Sequence, residues 1–303
     1  MWLKFGLAPN KEIKRINEVA RGKTNLTCIY CGGQLIAKKG DVKRHHFAHA
    51  GTTCKPVVKR QKYKSFPGLP YYDSFNVSLP GKDLERLKVL WREYGNQSIP
   101  IPRDLTDPRW KLKGLLQGTG GGLEFSDLGK IPMGALPLAN FSRVQEPLML
   151  QELEKYERQS ERATKAGYSN ANECRADLEI YRAQLRRILI NQLYFLEIRI
   201  GRNTIYKIGV TARQIEKRIL EIERDLKEHF SSPIINILGL WPHRGNVELY
   251  FKHRYKRFNC RIGKLTEYFQ FSKVKPVLND LFALEPKVCS KKELELIASP
   301  IHF

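Results

Sequence analysis

Cys28-Ile29-Tyr30-Cys31 sets two thiols at the spacing where a tight backbone knuckle turns both thiolates toward one metal ion at tetrahedral separation. His45, His46, His49 and Cys54 follow downstream, so six donors are available for four coordination positions. Sulfur and imidazole donors in this pattern suit zinc. The expected ligands are Cys28, Cys31, His49 and Cys54, with His46 the main substitute. A closed set of four leaves no position for a reactive water, which reads as a structural zinc rather than a catalytic one.

The segment CIYCGGQLIAKKGDVKRHHFAHAGTTC resembles the N-terminal zinc-binding segment of CoiA-like competence proteins, in which a CxxC precedes an HFxH box and a further Cys. The resemblance covers about a tenth of the chain and brings no catalytic residue with it. Lys38, Lys39 and Lys55 crowd the same small unit, together with Lys43, Arg44, Lys59, Arg60, Lys62 and Lys64. The last six are the candidate DNA contacts, because a small rigid module would hold them against phosphates.

A second group of residues lies near the other end of the chain. Gln192-Leu193-Tyr194, followed by Lys207-Ile208-Gly209, occupies the places of the two tripeptides that name the GIY-YIG nucleases. Arg218, then Glu248 with His253 five residues on, then Glu267-Tyr268-Phe269 complete an order similar to the branch of that superfamily reading KIG-T, Arg, Glu and E-[WY]-F. The resemblance runs from Gln192 to about Ser272 and departs from the pattern at Lys207, where other members carry a second tyrosine.

That resemblance implies hydrolysis of DNA phosphodiesters with one divalent metal ion, Mg²⁺ or Mn²⁺. Glu248 would hold the ion, as a hard cation suits one carboxylate plus waters and phosphate oxygens. Tyr194 would orient or deprotonate the attacking water, with Lys207 assisting. Arg218 would meet the scissile phosphate with its planar donors. His253 would carry a proton. Plainer roles exist for each: Tyr194 alternates in phase with Leu196 and Ile198 and can be core, and Glu248 near a helix start is favoured by the macrodipole alone.

These residues need elements to position them. LYFLEIRI and TIYKIGVT, joined around Gly201-Arg202-Asn203, predict a β-hairpin. QIEKRILEIERDLKEHF, with Ile215, Ile219, Ile222 and Leu226 on one stripe, predicts a helix, and IINILGLW a strand. Asn246 suits an N-cap for the helix VELYFKHRYKRF, before the strand EYFQF. Upstream, Gln151 to Ile190 reads as two helices broken at AGYSNAN, the second with Leu178, Tyr181, Leu185 and Ile188 on one face.

Between the two groups, Pro and Gly punctuate the chain, with a GTGGG run that reads as a flexible loop and one clear helix over Lys82 to Tyr94. The expected fold class is α+β. Its expected divisions are a zinc-binding basic module over residues 1–64, an irregular Pro/Gly-rich middle over 65–150 and a helical spacer over 151–190. A GIY-YIG-like domain with a small mixed or antiparallel sheet flanked by helices then fills 191–285, and a tail 286–303.

Fifty-three Lys and Arg against 31 Asp and Glu give a formal charge of +22. Such a surface attracts polyanions through counterion release, and a nucleic acid, DNA first, is the expected partner. The N-terminus shows no apolar signal core and no stretch is long and apolar enough for a membrane span, so a soluble cytoplasmic protein is expected. Six cysteines in such a chain read as free thiols and metal ligands rather than as a disulfide framework. The function expected is a metal-dependent DNA endonuclease whose zinc module assists DNA binding. The alternatives are a catalytically silent nucleic-acid binder that keeps the nuclease-like fold, and an accessory factor that meets a protein partner or a second copy through the 151–190 helices.

Overall fold

The computed structural model describes residues 3–40, 43–63 and 65–298. The chain begins with β1 (Phe5–Leu7), β2 (Ile13–Arg15), β3 (Gly22–Thr27), β4 (Gln34–Lys38) and β5 (His46–His49), then α1 (Lys55–Tyr63). The middle holds α2 (Gly81–Glu93), α3 (Pro108–Leu112), β6 (Leu116–Thr119), β7 (Gly122–Phe125) and α4 (Asp127–Lys130). Two long helices follow, α5 (Leu138–Lys165) and α6 (Ala171–Ile190). The remainder runs β8 (Gln192–Ile200), β9 (Asn203–Thr211), α7 (Ile215–Lys227), β10 (Ile234–Trp241), α8 (Val247–Arg254), β11 (Asn259–Ile262), β12 (Leu265–Phe269), α9 (Lys275–Phe282) and α10 (Lys291–Ala298). The fold is α+β with antiparallel sheets, and among the described residues no helix is long and apolar enough to cross a membrane.

The chain divides into two compact units: 1–69, 149–187 and 289–303 form the first, and 70–148 with 188–288 the second. In the first unit the strands form an antiparallel sheet of order β2-β1-β3-β4-β5, and an isolated bridge between Leu3 and Phe47 brings β5 back to the segment before β1. Leu26, Cys28, Leu35, Phe47 and Val57 fill one core of this unit. Phe5, Ile13 and Ile29 pack with Ala176 and Ile180 of α6 in another. Segment 151–187, expected as a spacer, is therefore part of a packed unit. Leu178, Tyr181 and Leu185 are buried, as their spacing predicts.

In the second unit β8 and β9 form the expected hairpin, closed by Gly201-Arg202 with Gly201 at φ +57, a conformation that favours glycine. The sheet order is β10-β8-β9-β12-β11. Strand alternation gives it two apolar faces. Tyr194, Leu196 and Ile198 share a core with Ile215, Ile222 and Leu226 of α7. Leu193, Phe195 and Ile208 share another with Val247, Tyr250 and Phe251 of α8. Each large apolar side chain so enclosed contributes about 1.5–3 kcal/mol, and together they fix where α7 and α8 lie on the sheet.

Asn246 stands at the start of α8, but its side chain does not cap the helix; its amide donates to Gln145 Oε1 at 3.1 Å. Strand β11, which pairs with β12, adds to the expected elements, and the middle region is more ordered than its composition suggests. Val77, Leu87, Leu90, Ile101, Trp110, Leu116 and Phe125 pack into a core there, and GTGGG forms the tip of the β6-β7 hairpin. Helix α5 begins upstream of the expected spacer and carries Pro147 inside, where one backbone hydrogen bond is lost without ending the helix.

Candidate functional site

The metal-ligating group is built on the first sheet. β3 ends just before Cys28, and the knuckle that follows is closed by two backbone bonds, Cys28 N–H to the Gly33 carbonyl at 2.8 Å and Gly32 N–H to the Cys28 carbonyl at 2.7 Å. Gly32 sits at φ +71, and a Cβ on Gly33 would lie 3.3 Å from Cys31 Sγ and 3.4 Å from His49 Cδ2. The two glycines thus let the chain turn tightly around the thiols. β5 ends in His49, whose Nε2 lies 3.3 Å from Cys31 Sγ, and Cys54 stands at the start of α1.

The ligand atoms of Cys28, Cys31, His49 and Cys54 all lie within 4.8 Å of one another. This three-sulfur, one-nitrogen set fits a tetrahedral zinc ion with bonds of about 2.0–2.3 Å, and the four residues can hold one. Burial pushes the Cys28 thiol up to about 12 and raises the Cys54 thiol, while burial lowers the His49 imidazole. A bound cation reverses that tendency for the thiols and favours their thiolate form.

His46, the substitute ligand, lies outside the group: its Nδ1 is 2.8 Å from the Arg44 carbonyl oxygen. The reason is geometric. Residues three apart on a strand face opposite sides, so β5 can turn only one of its terminal histidines to the knuckle.

Among the basic residues, Lys43, Arg44, Lys59 and Lys62 are exposed. Lys64 lies outside the described residues. Arg60 corrects the expectation of a DNA contact. Only 7% exposed, it pairs with Asp177 of α6 and lies 5.0 Å from the centre of the Tyr30 ring, while Tyr30 donates its own hydroxyl to Asp177 at 2.9 Å. Its position on α1 turns it inward, where it ties the metal knuckle to α6.

Tyr194 and Arg218 of the second constellation meet on the α7-covered face of the second sheet. Tyr194 of β8 is paired with Gly209 of β9, and a Cβ on Gly209 would lie 2.3 Å from the phenol oxygen. The ring therefore lies over the glycine. Arg218 of α7 turns in and donates from Nε to that oxygen at 3.3 Å, while its Nη1 is held by Glu221 at 2.7 Å. Burial pushes the Tyr194 phenol up, Arg218 pulls it back, and Glu248 and Glu267 add to the rise. Burial works against the Arg218 charge, but Tyr194 and Glu221 outweigh it and hold the guanidinium above its ordinary value.

Lys207 of β9 is 4% exposed and donates to Glu267 at 3.1 Å. Burial lowers its ammonium, with Glu267 opposing. Lys252 of α8 bridges two carboxylates, Glu248 at 2.9 Å and Glu267 at 2.8 Å. Glu267 is itself raised by burial, yet Lys207 and Lys252 bring it down to about 2. Tyr194, Lys207, Arg218 and Glu248 are thus brought into one neighbourhood.

His253 is not part of it. Its Nε2 faces the carbonyls of Ile131 and Pro132, each at 3.1 Å, and its ring stacks on Phe75. Five residues along a helix is about 500°, so Glu248 and His253 point from different faces of α8. Lys252, by contrast, sits one turn after Glu248 on the same face, and the i,i+4 spacing is the signal that could have identified it. Glu267, in the E-[WY]-F stretch, joins them as the carboxylate between the two lysines.

Residues 9–56 match the family model described as "Competence protein CoiA, N-terminal domain". Residues 191–283 match the model of the T5orf172 domain. No curated protein and no solved structure matches the chain. The first match spans the entire metal-ligating group and none of the second constellation, and the second match spans Tyr194, Lys207, Arg218, Glu248, Lys252 and Glu267, so the chain is similar to a different family at each of its two sites.

Proposed function

We propose that this protein is a DNA endonuclease of GIY-YIG type that hydrolyses phosphodiesters in the second unit, while a structural zinc in the first unit rigidifies a DNA-gripping surface. The observation that carries the reading is the inward turn of Arg218 onto the Tyr194 phenol over Gly209, with Glu248 close by. A solvent-facing arginine on an amphipathic helix would have no reason to adopt it. The similarity of 191–283 to the T5orf172 domain agrees with a nuclease-related role, and the net charge of +22 agrees with a polyanionic substrate.

Glu248 is the residue that would hold Mg²⁺ or Mn²⁺. One oxygen is taken by Lys252 and Oε2 has no hydrogen bond among the described residues, which fits a hard cation that keeps most of its waters. Bound there, the ion would supply charge neutralisation at the phosphate. Tyr194 would orient the attacking water through its phenol oxygen, which Arg218 holds in place. Arg218 keeps Nη2 for a phosphate oxygen as charge develops. Lys207 and Lys252 add positive charge and fix Glu267 between them. The four ligands Cys28, Cys31, His49 and Cys54 hold zinc in a closed set, and Lys43, Arg44, Lys59 and Lys62 meet backbone phosphates.

One observation favours a silent binder instead: the lysine at position 207 is engaged with Glu267 where the resemblance expects a tyrosine. Plasmid nicking with Mg²⁺ or Mn²⁺ by the full chain and by Glu248→Ala separates the two. The nuclease loses cleavage and keeps binding in the variant, and the silent binder never nicks.

A further inference from the structure

We propose that a cleft in the second unit, between α2 and the segment after α8, is a binding site for one unpaired nucleotide, its base stacked on Trp91 and its flanking phosphates held by Arg92 and Lys256. The cleft has a volume of about 280 Å³ and is lined by Trp91, Arg92, Lys88, Met133 and Lys256, with Glu85 at its side. Nothing in the nuclease reading uses these residues. The proposal deepens that reading and rests on it for the identity of the polymer.

The chemistry of the lining is what selects the ligand. Trp91 packs its ring edge-on against Phe125, with centroids 5.1 Å apart, and against Gly95, where a Cβ would lie 2.2 Å from the indole. The indole is therefore wedged in place while still lining open space, a rigid platform for another planar ring. Met133 adds a polarizable contact of the kind that suits aromatic ligands. Around this apolar floor stand three cations and one carboxylate. Glu85 is bound by Lys88 at 2.7 Å, and it is also drawn toward Arg92 and Lys256 electrostatically. Arg92 and Lys256, both exposed and in no ion pair among the described residues, stand as positive charges at the rim. An aromatic platform beside rim cations is the arrangement that binds single-stranded nucleic acid, since every base has a π-face and every nucleotide a phosphate. A duplex keeps its bases stacked on one another and cannot offer one.

The cleft is also placed to matter. Lys256 lies two residues beyond the end of α8, the helix whose first turn carries Glu248. A nucleotide captured at Trp91 would set a branched or frayed strand at a fixed distance from the cutting site.

The test uses the full chain without added divalent ion, so that cleavage plays no part in it. Anisotropy titrations compare a labelled oligothymidine with a duplex of the same length for the wild type, Trp91→Ala, Trp91→Phe and Arg92→Gln/Lys256→Gln. The expected result is a loss of single-strand affinity of roughly 5- to 140-fold in Trp91→Ala, largely restored in Trp91→Phe, with duplex affinity changed less than about two-fold. Arg92→Gln/Lys256→Gln, whose positions are exposed, should fold normally and lower the salt slope for the single strand by about 1.4. Equal loss on single strand and duplex, loss confined to the charge variant, or unchanged single-strand affinity in both variants would each overturn the proposal. None of these outcomes depends on whether the protein nicks DNA.

Discussion

Arg218 and Tyr194 stand 24 residues apart in sequence, yet Arg218 Nε donates to the Tyr194 phenol at 3.3 Å. The contact depends on a third residue, because the phenol lies over Gly209 at a distance no Cβ tolerates. Gly209→Ala should therefore push the ring off the strand and break the contact. A destabilisation of about 1–3 kcal/mol is expected from overpacking, with at least a tenfold loss of nicking. Thermal melting and a cleavage time course on the same preparation check it; unchanged nicking would show that the Tyr194 position is unimportant.

The zinc assignment predicts one metal per chain, lost when any of Cys28, Cys31, His49 or Cys54 is changed to Ala and retained in His46→Ala. Metal content by atomic absorption is the measurement. Loss of zinc in His46→Ala at a normal melting temperature would place His46 among the ligands after all.

Arg60 separates structural from DNA-binding lysines and arginines. Removing one partner of a buried ion pair leaves the other uncompensated, so Arg60→Ala should cost about 3–5 kcal/mol. Lys59→Gln and Lys62→Gln should barely alter stability and should each reduce the salt slope of duplex binding by about 0.9. Urea unfolding and salt titrations distinguish the two classes. A stable Arg60→Ala with weakened DNA binding would return Arg60 to the interface.

How far the sequence foretold this arrangement depends on the kind of signal. The hairpin of β8 and β9, the stripe of α7 and the face of α6 are local periodicities, and Ile215, Ile222, Tyr181 and Leu185 are buried as those periodicities require. The CxxC knuckle was equally legible, because its spacing is itself the geometry. What was not legible depends on partners far away in sequence. Arg60 reads as one more surface cation until Asp177, 117 residues on, is placed beside it. His253 sits on the helix of Glu248 but is claimed by carbonyls 121 and 122 residues earlier. Asn246 has the right type for a cap and is taken by Gln145 instead. The ordered middle was hidden because its apolar residues are scattered among turns, and only their long-range packing around Trp110 makes a core.

Glu267 sets an acid dependence. Its carboxyl is lowered from its ordinary 4.5 to about 2 in the folded protein, chiefly by Lys207 and Lys252 against the opposing effect of burial. A depressed folded value means that the stabilisation is complete above the unfolded value and is lost as pH falls through the folded one. Stability attributable to Glu267 should thus fade between about pH 5 and pH 2. Glu267→Gln should flatten the melting-temperature profile over that interval while leaving its shape above pH 6 unchanged. A variant with the same acid slope as the wild type would assign the dependence to other groups.

Whether the second unit cuts DNA is decided by supercoiled-plasmid nicking by the wild type and Glu248→Ala at equal zinc content. The wild type should nick with Mg²⁺ or Mn²⁺ and Glu248→Ala should not, with salt-sensitive DNA binding kept in both. Tight binding with no nicking by the wild type, or nicking undiminished in Glu248→Ala, would contradict it.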